Sequence, residues 1–268
     1  MNNQIENSIL SAINIRKEFI VKKHFFTGKT LDKVVAVKNS SFFVKEGRTI
    51  GIVGESGSGK STTGEIVGGL IKPTYGKVCY RGRNIEELSY IEYKKYRKNV
   101  QFIFQDPKGS MDPNYKIGQI ISEPLFTLKY VQSSKDAEKM VDEMLEKVGL
   151  DKIFKNKYPS EMSGGQCQRA AIARALIVKP HVIICDEPVS ALDVSIQAQI
   201  LNLLKDLQKE YNISYIFISH DIGVVNYMAD EIMVMNMGSV IEMGEAKQIL
   251  LNPKEEYTKN LIESSFVR

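Results

Sequence analysis

The sequence predicts an α/β protein: a mostly parallel sheet flanked by helices, with an antiparallel β subdomain attached. Three observations carry that expectation. The short apolar run Thr49 to Val53 leads into the glycine-rich turn Gly54-Glu55-Ser56-Gly57-Ser58-Gly59-Lys60-Ser61, and then into a helical pattern from Ser61 to Ile71, stopped by Pro73. Two further apolar runs, 181–187 and 214–219, read as buried strands separated by an amphipathic helix from Ile196 to Glu210. The stretch from Leu10 to Val53 is rich in strand patterns, which suggests a small antiparallel sheet beside the core.

The turn at 54–61 fits the phosphate-binding pattern G-x-x-x-x-G-K-[ST] at every fixed position. A glycine-rich turn between strand and helix aims backbone N–H groups at one spot, where the positive end of the helix dipole also lies. Lys60 adds a point charge for the β- and γ-phosphates, and the Ser61 hydroxyl is a ligand for Mg²⁺. A purely structural glycine turn is the bland alternative. The strand–turn–helix context argues against it.

Composition bounds the rest. At 268 residues the chain is long enough for one large domain or two small ones, and 43% hydrophobic with 25% charged residues is ordinary for a globular protein. No apolar run approaches the ~18 residues needed to cross a bilayer. Met1 to Ser8 is polar and lacks a signal-peptide pattern, so a cytosolic location, or the cytosolic face of a membrane, is expected. The net charge of +4 is too modest to argue for nucleic acid. Cys79, Cys167 and Cys185 are scattered without C-x-x-C spacing and read as reduced thiols.

In chain order, Ile9 to Ile15, Val34 to Val37 and Ser40 to Val44 read as strands, and the polar, basic segment Lys22 to Lys33 as a surface loop. After a turn at Pro73-Thr74-Tyr75-Gly76, Lys77 to Tyr80 returns as a strand. Asn99 to Phe104 is the next, ending at Gln105. A glutamine at a strand's exit either reaches a metal ion and its attacking water or is plain loop surface; in isolation the loop is favoured. Asp106 to Pro124 reads as loop, and Ser134 to Val148 as an amphipathic helix capped by Gly149. Ser163-Gly164-Gly165-Gln166 opens another helix that runs to Pro180. Its serine and paired glycines offer a second anion-binding helix end, although Ser-Gly-Gly is also common loop composition.

The run His181 to Glu187 delivers two carboxylates to a strand end. Beside a phosphate loop, such a run brings an Asp to the Mg²⁺ of a nucleotide, and Glu187 is placed to polarise a water. His220 ends the strand 214–219, at the edge where open α/β sheets bind ligands; a lone histidine there is as often structural or merely exposed. A hairpin at 232–243 and two short helical patterns, 246–251 and 257–264, close the chain.

The phosphate loop, Gln105, Ser163-Gly164-Gly165-Gln166, Asp186-Glu187, Ser190-Ala191-Leu192-Asp193 and His220 stand in that order. The series resembles the nucleotide-binding subunits of ATP-binding cassette (ABC) transporters over essentially the whole chain. Met162 stands where that family usually has a leucine before Ser-Gly-Gly-Gln, a swap of similar apolar volume. The resemblance implies a phosphate-loop NTPase core and one ABC ATPase domain over 1–268. Its helical subdomain would lie at about 106–178 and a C-terminal extension at about 245–268. It also implies ATP and Mg²⁺ as ligands. Phe19 would stack on adenine, Gly54 to Thr62 would cradle the phosphates, and Ser61, Gln105 and Asp186 would support Mg²⁺. Glu187 would be the catalytic base, Gln105 would sense metal and water, and His220 would contact the γ-phosphate. Such subunits form head-to-tail dimers, so Ser163, Gly164, Gly165, Gln166 and Asp193 would serve the nucleotide of a second ABC ATPase subunit.

A narrower resemblance is carried by Phe104-Gln105-Asp106-Pro107-Lys108-Gly109-Ser110-Met111-Asp112-Pro113, by Ile121 to Leu125 and by Leu192 to Ile200. These segments are similar to the ATPases of oligopeptide and dipeptide importers. Nickel importers share the features, so cargo stays open between peptides and nickel or a nickel chelate. Asn252-Pro253-Lys254-Glu255-Glu256-Tyr257-Thr258 is similar to that group's N-P-x-H-P-Y-T segment, with Glu255-Glu256 in place of His-Pro. No iron–sulfur cluster is expected. The partners implied are two transmembrane permease subunits and an extracellular or periplasmic solute-binding protein, with no nucleic acid. A soluble ABC protein acting on nucleic acid or ribosomes, which typically carries tandem cassettes or a long insertion, fits less well. So does a small-molecule phosphotransferase, which has no use for residues 163–166.

Overall fold

The computed structural model describes residues 8–23 and 30–266. Along the chain lie β1 (Leu10–Lys23), β2 (Thr30–Val44), β3 (Thr49–Val53), α1 (Lys60–Val67), β4 (Tyr75–Tyr80), β5 (Arg83–Asn84), α2 (Tyr90–Asn99), β6 (Val100–Ile103), α3 (Ile117–Thr127) and α4 (Ser134–Lys147). There follow α5 (Gly164–Leu176), β7 (Val182–Asp186), α6 (Val194–Tyr211), β8 (Ser214–Ser219), α7 (Ile222–Met228), β9 (Glu231–Asn236), β10 (Ser239–Glu245), α8 (Ala246–Leu251) and α9 (Glu256–Phe266). The chain divides into two compact units, Met1–Tyr90 with Tyr215–Arg268, and Ile91–Ser214. The expected helical subdomain at 106–178 lies within the second, and the C-terminal extension at 245–268 within the first.

In the first unit the strands lie in the order β5-β4-β1-β2-β10-β9-β3-β8. The strand feeding the phosphate loop, β3, has parallel neighbours on both sides: Ile52 pairs with Ile218 of β8 and with Met233 of β9. Every residue of β3 and β8 is buried, as parallel strands covered on both faces require. Gly51 is a packing glycine. A Cβ there would stand 2.1 Å from Val225 Cγ1, so its absence lets α7 lie against β3. In the other half β1 pairs antiparallel with β2 and with β4, and β9 with β10, while β10 meets β2 in parallel at Ser239 and Asn39. This is the mixed α/β sheet expected, with its antiparallel β region.

In the second unit β6 and β7 pair in parallel, Val100 with Val182 and Ile103 with Cys185. Helices α3, α4 and α5 supply its apolar interior: Ile117, Ile120, Ile121 and Leu125 from α3, Ala137, Val141, Met144 and Leu145 from α4, and Ala170 to Ala173 with Leu176 from α5. Gly149 ends α4 at φ +69°, the left-handed value that a C-terminal glycine cap supplies. Met162, the apolar residue before Ser163, is buried as a leucine would be.

Several expectations need correction. The basic segment Lys22 to Lys33 is not simply a loop, because β1 runs on to Lys23 and β2 starts at Thr30, with Lys22 opposite Asp32. The polar residues lie on a paired ribbon whose backbone bonds are satisfied by the partner strand; residues 24–29 lie outside the described ones. Helix α1 ends at Val67, short of Ile71. Gly69 turns left-handed at φ +66°, and the N–H groups of Leu70 and Ile71 bond back to the Glu65 carbonyl. The segment 106–124 is not all loop, since α3 starts at Ile117 and carries Pro124 inside it. One missing N–H is outweighed by four buried side chains at helical spacing. Helices α2 and α7 were not expected. Only Tyr96 of α2 is buried, so it shows no apolar stripe, and α7 is short. Among the described residues no helix is long and apolar enough to cross a membrane.

Candidate nucleotide-binding site

The phosphate loop is built by the close approach of backbone to backbone. Gly54 has φ +153° and Gly59 φ +99°; a Cβ on the first would stand 2.1 Å from the Met235 carbonyl oxygen, and on the second 2.3 Å from that of Ala36. The Gly238 N–H donates to the Ser58 carbonyl at 3.0 Å, so the β9–β10 turn holds the loop from outside. Gly57 differs. It has φ +79°, but nothing stands within 4 Å of a Cβ built on it, so its side of the loop is open. Lys60 is buried, and its ammonium donates to the Gly54 and Glu55 carbonyls at 2.8 and 2.9 Å, folding the side chain back over the loop. Ser61 and Thr62 are half-buried in the first turn of α1.

Within this unit the fold brings His220 to the loop. His220 follows the last residue of β8, and with Asp221 it shares a cavity of about 440 Å³ with Glu55 and Ser56. Asp221 holds that corner by capping α7. It accepts from the Gly223 N–H at 2.7 Å, while its own N–H donates to Ser219 Oγ at 3.0 Å. Phe19 stands on β1 opposite Val34, 40% exposed, with Lys17 Nζ 5.3 Å from its ring centre.

The second unit joins residues far apart in sequence. Gln105 Nε2 donates to Glu187 Oε2 at 3.0 Å across 82 positions, and Gln105 lines a cavity with Asp186, Asp106 and Ser110. Asp186 is the buried last residue of β7. Glu187 has φ +44°, a left-handed conformation unusual for a residue with a long side chain. The turn is fixed by Ser190, whose N–H and hydroxyl both donate to the Glu187 carbonyl. Arg174 of α5 donates to the Ser110 carbonyl at 2.7 Å and so braces the loop that follows Gln105. Arg174 carries no signal in the sequence, because an arginine in a helical pattern reads as surface.

The helix end at 163–166 is a reciprocal cap. Ser163 Oγ accepts from the Gln166 N–H at 3.3 Å, and Gln166 Oε1 accepts from the Ser163 N–H at 2.9 Å. The polar side chains are thereby engaged, and helix geometry leaves the Gly164 and Gly165 N–H groups as the ones without intrahelical acceptors. Both glycines lie under the following loop and helix: a Cβ on Gly164 would meet Leu192, and one on Gly165 would stand 2.8 Å from Ile196 Cγ2. Asp193, next to Leu192 at the N-cap of α6, is exposed; its carbonyl accepts from the Ile196 and Gln197 N–H groups. No cluster of three or more His, Cys, Asp or Glu suited to a metal ion occurs among the described residues.

Strand β3, the glycine turn and α1 define a phosphate-loop nucleotide-binding protein. The ABC transporter family model matches residues 37–190, more than half of the chain, and the chain belongs to that family, whose members are ATP-hydrolysing subunits. It is 45% identical over 267 residues to the dipeptide transport ATP-binding protein DppF of Haemophilus influenzae, covering 99% of this chain and 81% of that protein. With the oligopeptide transport ATP-binding protein OppF of Escherichia coli it shares 47% over 260 residues, 96% of this chain and 77% of the other. Among solved structures it is similar to the ATP-binding cassette MJ0796 in a dimeric post-hydrolysis state bound to ADP and phosphate. The TM-score is 0.78 at 32% identity, covering 88% of this chain and 98% of that one.

Proposed function

We propose that this chain is the ATP-hydrolysing subunit of an importer for oligopeptides or dipeptides, working at the cytoplasmic face of the membrane. The observation that carries its catalytic part is the Gln105–Glu187 hydrogen bond. A carboxylate at the end of a buried strand, held by a glutamine from another strand's exit, is suited to take a proton from a water attacking the γ-phosphate. The peptide cargo rests on relatives named for dipeptide and oligopeptide transport over nearly the whole chain.

The residues present fit ATP with Mg²⁺. The open side of Gly57 leaves room for phosphate, Ser61 offers a hydroxyl, and Asp186 a buried carboxylate. In this reading Gly54 to Thr62 hold the phosphates by backbone N–H groups and Lys60, His220 contacts the γ-phosphate, and Phe19 stacks on the base. Ser61, Gln105 and Asp186 would hold Mg²⁺, which when bound neutralises charge on the phosphate oxygens. Gly164 and Gly165, with Ser163, Gln166 and Asp193, serve the nucleotide of a second ABC ATPase subunit in a head-to-tail dimer. Two permease subunits and a solute-binding protein complete the importer.

The test is Glu187→Gln. Removing the base while sparing binding is expected to lower ATP hydrolysis about 10²–10⁴-fold and to leave an ATP-bound dimer detectable by size-exclusion chromatography. Hydrolysis at the wild-type rate would remove Glu187 from the role of base. Cargo is read separately, by uptake of labelled peptide and of nickel in cells lacking the protein.

A further inference from the structure

The C-terminal extension reaches the phosphate loop. The Glu55 N–H, from the second residue of the loop, donates to Tyr257 Oη at 3.2 Å across 202 positions. Tyr257 lies at the start of α9, and that helix end is anchored. Glu242 of β10 accepts from the Lys254 N–H at 3.0 Å and the Glu255 N–H at 3.2 Å, while Thr258 and Ile262 are buried. Further along α9, Leu261, Ser264 and Ser265 wall the cavity that Glu55, Ser56, His220 and Asp221 line from the other side.

We propose that Tyr257 is a positioning residue for ATP binding: its hydroxyl fixes the Glu55 peptide and so pre-orders the phosphate loop from the C-terminal helix. Residues 55–57 are exposed, and inside the loop the Ser58 N–H bonds to the Glu55 carbonyl at 3.1 Å. Pinning the Glu55 N–H from outside restrains this turn before any ligand arrives. A loop ordered in advance loses less entropy when nucleotide binds. The segment Glu255-Glu256-Tyr257 is thus, through Tyr257, part of the loop's support.

The proposal rests on the reading of Gly54 to Ser61 as the phosphate site, so Lys60→Ala is measured beside it. Tyr257→Phe keeps the ring and removes only the acceptor oxygen. It is expected to raise KM for ATP about fivefold, the equivalent of one hydrogen bond, with kcat within about twofold of wild type. Amide hydrogen exchange at Glu55 should quicken by a similar factor. Glu242→Ala, which frees the start of α9 with Tyr257 intact, is expected to give the same two changes and decides the matter if Tyr257→Phe fails to fold. An unchanged KM or an unchanged Glu55 exchange rate in a folded variant overturns the proposal. If Lys60→Ala leaves ATP affinity unaltered, the phosphate-site reading itself falls.

Discussion

Gly59 is demanded twice, by its φ of +99° and by the Ala36 carbonyl 2.3 Å from where a Cβ would sit. Gly59→Ala is therefore expected to cost about 1–3 kcal/mol of stability. That is a fall in the thermal midpoint of about 2–4 °C per kcal/mol, measurable by calorimetry. The demand for glycine was legible as a motif, but the atom that enforces it was not, because Ala36 lies 23 positions upstream on another strand. Glu187 shows the opposite limit. Its place after an apolar strand marked it in the sequence, whereas its φ of +44° and its bond to Gln105 come from tertiary packing that no local pattern encodes.

Secondary-structure elements were readable in proportion to their amphipathicity. Helix α4 was plain from Ala137, Val141, Met144 and Leu145, and α5 from its Ser-Gly-Gly-Gln start. Helix α2 was invisible because its sequence is polar apart from tyrosines and one isoleucine, and α3 was hidden by Pro124. A test at this scale concerns the packing of α5 beneath α6. In Gly165→Ala, overpacking against Ile196 costs about 1–3 kcal/mol, and helix propensity returns at most ~1 kcal/mol. A net loss is expected, and Ile196→Ala in the same chain should cost less than it does alone, because the added methyl occupies vacated space. Additive costs in denaturant melts would show that the two residues do not press on each other.

At the scale of the molecule, the three cysteines share one fate. Cys79, Cys167 and Cys185 are all buried, and burial pushes each thiol's pKa up, Cys185 furthest of all. Since the thiolate is the reactive form, native protein near pH 7.5 is expected to resist a thiol reagent, and denatured protein to react at three sites per chain. Rapid native labelling would contradict the packing around them.

The pairing of β3 also has a consequence for synthesis. Strand β3, at 49–53, has partners only at 214–219 and 231–236, so the ribosome must make more than 160 further residues before either is available. The unit Ile91–Ser214 is continuous in sequence and emerges from the ribosome ahead of β9. A nascent chain stalled once Ser214 has cleared the ribosome, with β9 still inside it, should therefore hold a folded middle and an unpaired strand Thr49–Val53, exposed to chaperones until β9 arrives.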